Sequence, residues 1–357
     1  MVCRHGFCRR FDFFDYSFNH WNIGPNIVSN GTLWANAHAM NITVILCTYN
    51  RCQDLVKALS SVALSRLPES VAWEVLVVDN NSHDRTRDVV ADFCRRYPAR
   101  FRYLFESHPG KSYALNSGIA EARGDIVAFM DDDVTVEPTW LQKLTAPLLK
   151  GKWAGCGGRI VPVWNCTPPR WLPDTGRYPL SPLAVFDLGL EAGRLAEPPF
   201  GTNMAFQKAV LAKYGGFRTD LGPGPGNEIR HNEDSEFRSR LLSAGERLWY
   251  EPSAIVYHPV PQDRLRREYF QSWWFDKARA DIRAFGLPAD VKPVLAGPLR
   301  LFRRLAVWTA RWMLAFRPSR RFSNKLSVWY LAGQIAECYQ QRAGKASPND
   351  MRRQALF

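Results

Sequence analysis

The sequence predicts an α/β fold built on a mostly parallel sheet with helices on both faces. Three observations carry that expectation. Between residues 42 and 131, short apolar runs alternate with segments of helical period. The runs are apolar at nearly every position rather than every second one, as strands buried on both sides must be. The residues after each run are polar and fall on one predicted edge, and open α/β sheets bind ligands at the carboxyl ends of their strands.

The elements follow in order. "ITVILC" (42–47) reads as a buried strand and "QDLVKALSSVAL" (53–64) as an amphipathic helix. "WEVLVVD" (73–79) is the next strand, residues 84–97 the next helix and "FRYLFES" (101–107) a third strand. "SYALNSGIAEA" (112–122) reads as a helix and "DIVAFMD" (125–131) as the fourth strand. β-branched and aromatic residues favour the strands, and three- and four-residue apolar spacing favours the helices.

After Trp140 the pattern turns irregular. A Gly-rich segment, "GCGGRIVPVW" (155–164), leads into a Pro- and Trp-containing stretch, 165–200, expected to be a loop or lid. "PFGTNMAFQKAVLAKYGGF" (199–217) reads as a loop entering a helix that ends at Gly215 and Gly216. "LGPGPGN" (221–227) is a flexible loop, followed by a helix in "HNEDSEFRSRLLSAG" that Asn232 is placed to cap.

With 357 residues and 46% hydrophobic content, the chain can bury one large core or two smaller ones, and its composition excludes fibrous and disordered classes. The eight cysteines show no CxxC pair or metal spacing and read as reduced thiols of a cytoplasmic protein. The first twenty residues lack the apolar core and cleavage site of a signal peptide, and no run of about 18 uncharged apolar residues occurs. Residues 1–40 fit no element. They are either an N-terminal extension or upstream sequence ahead of a start at Met40.

"IVAFMDDDV" ends a buried run in Asp131, Asp132 and Asp133. Like charges at a strand end repel and resist desolvation, so a counter-charge is required. A hard divalent cation would supply it, since Mg2+ and Mn2+ prefer carboxylate oxygens and leave room for substrate phosphates. The other strand ends carry "TYNR" (48–51), "DNNS" (79–82) and "SHPGKS" (107–112). No GxGxxG follows the first strand, which argues against a dinucleotide fold.

Six stretches in order, "VILCTYNR", "VLVVDNNSHDRT", "GKSYALNSGIAEARGDIVAFMDDDV", "PFGTNMAFQK", "NEDSEFRSRL" and "IVYHP", resemble family-2 glycosyltransferases of the GT-A fold over residues 41–285. The resemblance implies a Rossmann-like sheet and transfer of a sugar from a nucleotide diphosphate donor, UDP by preference. It also implies inversion at the anomeric carbon, with Mn2+ or Mg2+. By position, Thr48, Tyr49, Asn50 and Arg51 would line the nucleotide pocket. Asp79 would bind base or ribose, beside Asn81, Ser82 and Asp84, and Lys111 would approach uracil or diphosphate. Asp131 and Asp133 would form the Asp-x-Asp motif, Asp131 near the ribose and also in the metal set, Asp133 on the metal, and Asp132 between them in the donor site. The family's Ala-Arg-Asn is here Ala114, Leu115 and Asn116, so one basic contact is missing and Asn116 remains as the donor-binding candidate of that motif.

A single displacement also needs a carboxylate across the sugar from the diphosphate to take the acceptor's proton. Glu233 and Asp234 open a helix anchored by Phe237 and Leu241 and meet that need. By resemblance Asp234 is the base and Glu233 binds the acceptor or stands in as base. His258, after "SAIVY", matches a position that supplies a metal ligand in relatives. Gly201, Thr202 and Asn203 match a loop contacting sugar and acceptor. A retaining double displacement would need a nucleophile beneath the sugar, and none stands out.

The net charge of +13 is concentrated at the C-terminal end, with twelve Lys and Arg against two acidic residues from Gly297 to Phe357. "PLRLFRRLAVWTARWMLAF" (298–316) places Leu301, Leu305, Trp308, Trp312 and Phe316 on one helical face and Arg300, Arg303, Arg304 and Arg311 on the other. Such a helix suits an anionic membrane surface, here through residues 298–334. The alternative is a helix docked by its apolar stripe. The expected organisation is thus an extension (1–40), a catalytic domain (41–285) and a helical basic segment (286–357). The expected acceptor is a glycan or a lipid-linked glycan, in polysaccharide or cell-envelope synthesis on the inner membrane face. The rival reading is a non-catalytic nucleotide- or nucleic-acid-binding protein, which leaves the carboxylates on both sides of the cleft unexplained. Nucleic acid is therefore not an expected partner. A nucleotidyltransferase would show a Gly-rich loop after the first strand.

Overall fold

The computed structural model describes residues 41–172, 180–195, 201–225, 231–286 and 297–345. The N-terminal extension, much of the expected lid and the end of the "LGPGPGN" loop lie outside these residues. Strands β1 (Ile42–Thr48), β2 (Trp73–Asp79), β3 (Phe101–Phe105) and β4 (Ile126–Asp131) form a parallel sheet in the order β3-β2-β1-β4. Helices α1 (Cys52–Ala63) and α2 (Thr86–Arg96) contribute to the core on one face, and α3 (Lys111–Glu121) to that on the other. In α1 the buried set Leu55, Ala58, Leu59 and Val62 keeps the three- and four-residue spacing that faces one side of a helix to the sheet. The register brings Thr48 opposite Asp79 and Cys47 opposite Asp131, so the polar strand ends meet at one edge.

The second half is more regular than its sequence suggests. It comprises β5 (Thr135–Val136), α4 (Trp140–Leu149), β6 (Gly155–Trp164), β7 (Gly193–Leu195), β8 (Met204–Gln207), α5 (Lys208–Tyr214), α6 (Glu233–Ser243) and β9 (Leu248–Val260). The sheet continues β4-β8-β6-β9-β5, with β7 beside β9. β8 runs antiparallel to β4 and β6, whereas β6 and β9 are parallel. The Gly-rich segment is a strand because its glycines are spacers. A Cβ on Gly155 would lie 2.4 Å from the Phe206 ring, and one on Gly158 would lie 2.3 Å from the Ala254 carbonyl oxygen. α4 carries Pro147 in its interior, which hides it from propensity, yet Trp140, Leu141, Leu144 and Leu148 keep its buried stripe.

Three further helices follow: α7 (Arg267–Phe285), α8 (Gly297–Met313) and α9 (Pro318–Lys345). α9 packs along α7 so closely that a Cβ on Gly333 would lie 2.3 Å from the Phe275 carbonyl oxygen. Phe322 and Leu326 of α9 share a core with Phe270, Val260, Leu183 and Leu172. The first three residues of the stripe expected to face a membrane are instead docked. Leu301 is buried, and Leu305 and Trp308 pack with Leu331, Ile335 and Cys338 of α9. Phe316, the last of that stripe, is 97% exposed, and Phe302, Val307, Met313 and Leu314 outside it are exposed as well. Among the described residues no helix is long and apolar enough to cross a membrane.

Candidate active site

Beyond the carboxyl ends of β1, β2 and β4 lies a cleft of about 700 Å3. Thr48, Tyr49 and Arg51 line it from β1, Asp131, Asp132 and Asp133 from β4, and Lys111 from the start of α3. Glu233 and His258 close it from α6 and β9. Tyr49 is half exposed. Gly110, at φ 139°, turns the chain into α3, and its N–H donates to Asn80 Oδ1 at 2.7 Å. The Asn80 amide in turn donates to the His108 carbonyl at 2.8 Å, fixing the loop that presents Lys111.

The acidic strand end finds its counter-charges in the chain itself. Arg51 Nη1 lies 3.1 Å from Asp132 Oδ1 and 2.6 Å from Asp133 Oδ2. Lys111 Nζ lies 3.0 Å from Asp131 Oδ1 and 3.7 Å from Glu233 Oε1. Burial pushes the Asp132 carboxyl up to about 6 against the pull of Arg51. At Asp133 burial acts the same way but is outweighed by His258, Arg51 and Arg264, which hold this carboxyl below its ordinary value. Burial would discharge Lys111, yet Asp131, Glu233 and Asp234 keep it firmly protonated.

Asp131 is turned to Lys111, while the second oxygen of Asp133 faces His258 Nε2 at 3.9 Å. Among the described residues no three His, Cys, Asp or Glu side chains gather around one point, so the expected trio of Asp131, Asp133 and His258 does not converge as a ready cage. The pair Asp133 and His258 does fit a hard cation that completes its shell with diphosphate and water, since such ions take only one or two protein carboxylates. His258 is buried and its Nδ1 has no partner among the described residues.

Across the cleft, α6 opens with the two carboxylates. Asp234 Oδ2 accepts from the Gly201 N–H at 2.7 Å and faces the buried Arg238 Nη1 at 3.1 Å. Burial raises the Asp234 carboxyl, but Arg238, Lys111 and the Gly201 amide outweigh it and keep the group ionised. Glu233 is displaced the other way, by burial and by the charge of Asp234, with Lys111 in opposition. Gly222, at φ 84°, packs against Glu233, where a Cβ would lie 2.9 Å from its carboxyl carbon. Asn232 is left-handed at φ 79° and makes no side-chain cap to α6. Its Nδ2 donates instead to Asp281 Oδ1 at 2.8 Å.

Several residues expected in the site hold it up from outside the cleft. Asp79 is buried, accepting from Tyr103 Oη and the Ser82 N–H, both at 2.9 Å, and does not line the cleft. Asn50 N–H donates to Ser82 Oγ at 3.0 Å and Asn50 Oδ1 accepts from the His83 N–H at 2.7 Å, which latches two strand-end loops together. Asn81, at φ 64°, sits in the same turn. Asp84 accepts from Thr86 Oγ1 at 2.6 Å and from the N–H groups of Cys52 and Thr86, both at 2.9 Å, and these bonds, set against desolvation, hold it at about 2. Asn116 closes a two-bond clamp on Phe217, both at 2.8 Å. Thr202 Oγ1 accepts from the Asp131 N–H at 3.3 Å, and Asn203 is spent on Trp140, Arg159 and Ala254. Gly201 alone of that loop reaches the inner recess beside Asp234.

The reading from sequence missed Asn80, Pro109, Gly110, Pro223, Arg264, Tyr269 and Trp273, all of which line the cleft. Asn80 stood inside the quoted "DNNS" motif, one residue from the choice made. Arg264, Tyr269 and Trp273 follow β9 and carried no local signal.

The strand ends thus carry a cleft lined by acids and by the cations that pair with them, with a second pair of acids opening α6. Residues 43–215, just under half of the chain, match the sequence model of glycosyl transferase family 2, and that segment belongs to the family. The succinoglycan biosynthesis protein ExoM of Rhizobium meliloti (strain 1021) is 29% identical over 230 residues, 63% of this chain and 69% of that protein. The glucosyl-dolichyl phosphate glucuronosyltransferase of Haloferax volcanii is 28% identical over 242 residues, 66% of this chain and 75% of that protein. The mannosyltransferase PcManGT from Pyrobaculum calidifontis, solved with GDP-Man and Mn2+, superposes with a TM-score of 0.56 at 21% identity. It covers 85% of this chain and 87% of that one, and the shared fold is GT-A.

Proposed function

We propose that this glycosyltransferase moves a sugar from a nucleotide diphosphate donor, a UDP-sugar by preference, to a glycan or lipid-linked glycan, with inversion. The observation that carries this reading is a cleft with acids on both sides bridged by cations. Asp131–Asp133 stand with Arg51 and Lys111 at the strand ends and Glu233 and Asp234 on α6, with Lys111 reaching toward both. The relatives named for succinoglycan and for dolichyl phosphate chemistry support an envelope or exopolysaccharide role.

In this reading the acceptor oxygen attacks C1 and its proton passes to Asp234, as the C1–O bond breaks and its electron pair leaves with the diphosphate. Asp234 suits the role because Arg238 and the Gly201 amide keep it ionised and hold Oδ2, while Oδ1, which accepts from Ser235 Oγ at 3.2 Å, has a second lone pair for the proton. Glu233, biased toward its protonated form, donates a hydrogen bond to a sugar hydroxyl. Lys111 neutralises charge on the departing diphosphate. Asp133 and His258 would hold Mn2+ or Mg2+, which when bound adds to that neutralisation. A second reading exchanges the carboxylates, because Glu233 lines the main cleft whereas Asp234 reaches only the small recess behind it. Turnover by Asp234→Asn and Glu233→Gln enzymes decides between them.

The exposed apolar residues Phe302, Met313, Leu314 and Phe316, among Arg303, Arg311, Arg317, Arg320 and Arg321, support attachment to an anionic membrane surface carrying the acceptor. No acidic residue occurs between Gly297 and Ala336 to offset those cations. Inner-face, peripheral placement follows from this reading.

A further inference from the structure

The helix that presents Glu233 and Asp234 is tied to the far C-terminal helix through one carboxylate. Asp281, on α7, accepts from Asn232 Nδ2 at 2.8 Å through Oδ1 and from Tyr330 Oη at 2.6 Å through Oδ2. Lys277, one turn earlier on α7, also bonds Oδ1. Asn232 is the residue directly before Glu233, is buried, and stands in a left-handed conformation that costs free energy and persists only where its surroundings impose it. Tyr330 lies on α9, which is pinned to α7 a second time by Glu337, buried and paired with Arg279 at 3.2 Å and Arg283 at 2.7 Å. α9 is therefore a buttress of α7, and α7 holds the turn that enters α6.

We propose that Asp281, clamped by Tyr330, is the positioning residue that sets Asn232 and through it the two carboxylates at the start of α6. This rests on the reading of Glu233 and Asp234 as the reacting pair. Asp281 lines neither the cleft nor the recess beside Asp234 and touches no substrate in this scheme. Its effect is geometric: a displacement of about 1 Å in a catalytic group costs on the order of a hundredfold in rate. The link also gives the basic C-terminal helices a catalytic consequence that surface attachment alone does not.

The test uses the full chain and three variants. Asp281→Ala removes both acceptors, Asp281→Asn keeps an acceptor for Asn232, and Tyr330→Phe removes one hydroxyl with little risk to folding. Hydrogen exchange read by mass spectrometry needs no substrate. Amides 232–236 should exchange at least tenfold faster in Asp281→Ala and severalfold faster in Tyr330→Phe, with Asp281→Asn within about twofold of the parent. Turnover is read as release of UDP or GDP from UDP-glucose, UDP-glucuronate and GDP-mannose with Mn2+, water taking the sugar in place of the acceptor. Asp281→Ala should lose at least tenfold in kcat with donor KM within twofold, and Asp281→Asn should restore it. Unchanged exchange at 232–236, or a uniform rise over α7 and α9 without a selective one there, overturns the proposal. So does a donor KM that rises while kcat holds. Full turnover by Asp234→Asn and by Glu233→Gln would instead overturn the catalytic reading while the exchange result stands.

Discussion

Arg51 Nη1 lies 2.6 Å from Asp133 Oδ2, so the last carboxylate of the acidic strand end is neutralised by a side chain from the neighbouring strand end. The same guanidinium reaches Asp132. Arg51 therefore stands where an added cation would otherwise be needed for stability. Replacing it by Met should destabilise the protein by about 1 kcal/mol, less than for a fully buried pair because the Arg51 side chain is 42% exposed. Asp133 is held below its ordinary value, so its stabilising contribution is present above the unfolded pKa of about 4 and is lost as pH falls through the folded value. The Arg51→Met deficit should accordingly shrink toward pH 3, and Mn2+ should raise the variant's melting temperature more than the parent's. Thermal melts at pH 7 and pH 3, with and without Mn2+, check both points.

Loss of the base should be far more costly than loss of its neighbour. Asp234→Asn is expected to lower turnover by at least a hundredfold with nucleotide affinity unchanged, in the range typical of proton-transfer groups. Glu233→Gln should cost less, because an amide still donates a hydrogen bond. The reverse order in steady-state assays would assign the proton to Glu233.

Glu233 gives a pH signature of its own. Its folded pKa is raised, so the folded state binds the proton more tightly and stability falls as pH rises from about 4.5 through the folded value. Glu233→Gln removes that penalty. The variant should gain melting temperature relative to the parent at pH 8 and gain little at pH 4, as differential scanning calorimetry will report.

Membrane attachment is expected to follow the exposed residues, Phe316 among them, rather than the docked part of the stripe read from sequence. Leu314→Ser with Phe316→Ser should reduce flotation with phosphatidylglycerol vesicles severalfold without lowering the melting temperature, since both side chains are mostly in solvent. Binding should weaken as salt rises. Equal flotation with neutral vesicles, or no effect of the double variant, contradicts the attachment.

The first half of the fold was legible because burial on both faces forces unbroken apolar strands, as in "ITVILC" and "WEVLVVD". The second half hid for steric reasons: Gly155 and Gly158 sit in a strand because neighbouring side chains and backbone leave no room for a Cβ. In the site, Lys111, Asp131–Asp133, Glu233, Asp234 and His258 are legible as candidates because charge at a strand end or helix start stands out. Asp79, Asn116 and Asn203 do not line the cleft, and the sequence does not show this because an amide or carboxylate that braces a loop has the same letters as one that binds a ligand. The docked face of α8 was misjudged for a related reason: its amphipathic period fixes which residues share a face and does not say what covers it.

The central claim is a metal-assisted nucleotide site at the carboxyl ends of β1, β2 and β4. Calorimetric titration of the full chain with UDP, GDP and dTDP, each with and without Mn2+, tests it most directly. The account predicts that one of the three binds with micromolar affinity, that Mn2+ strengthens it at least tenfold, and that Asp133→Ala removes the metal's contribution. No binding of any of the three to folded protein, or binding indifferent to both Mn2+ and Asp133, would contradict it.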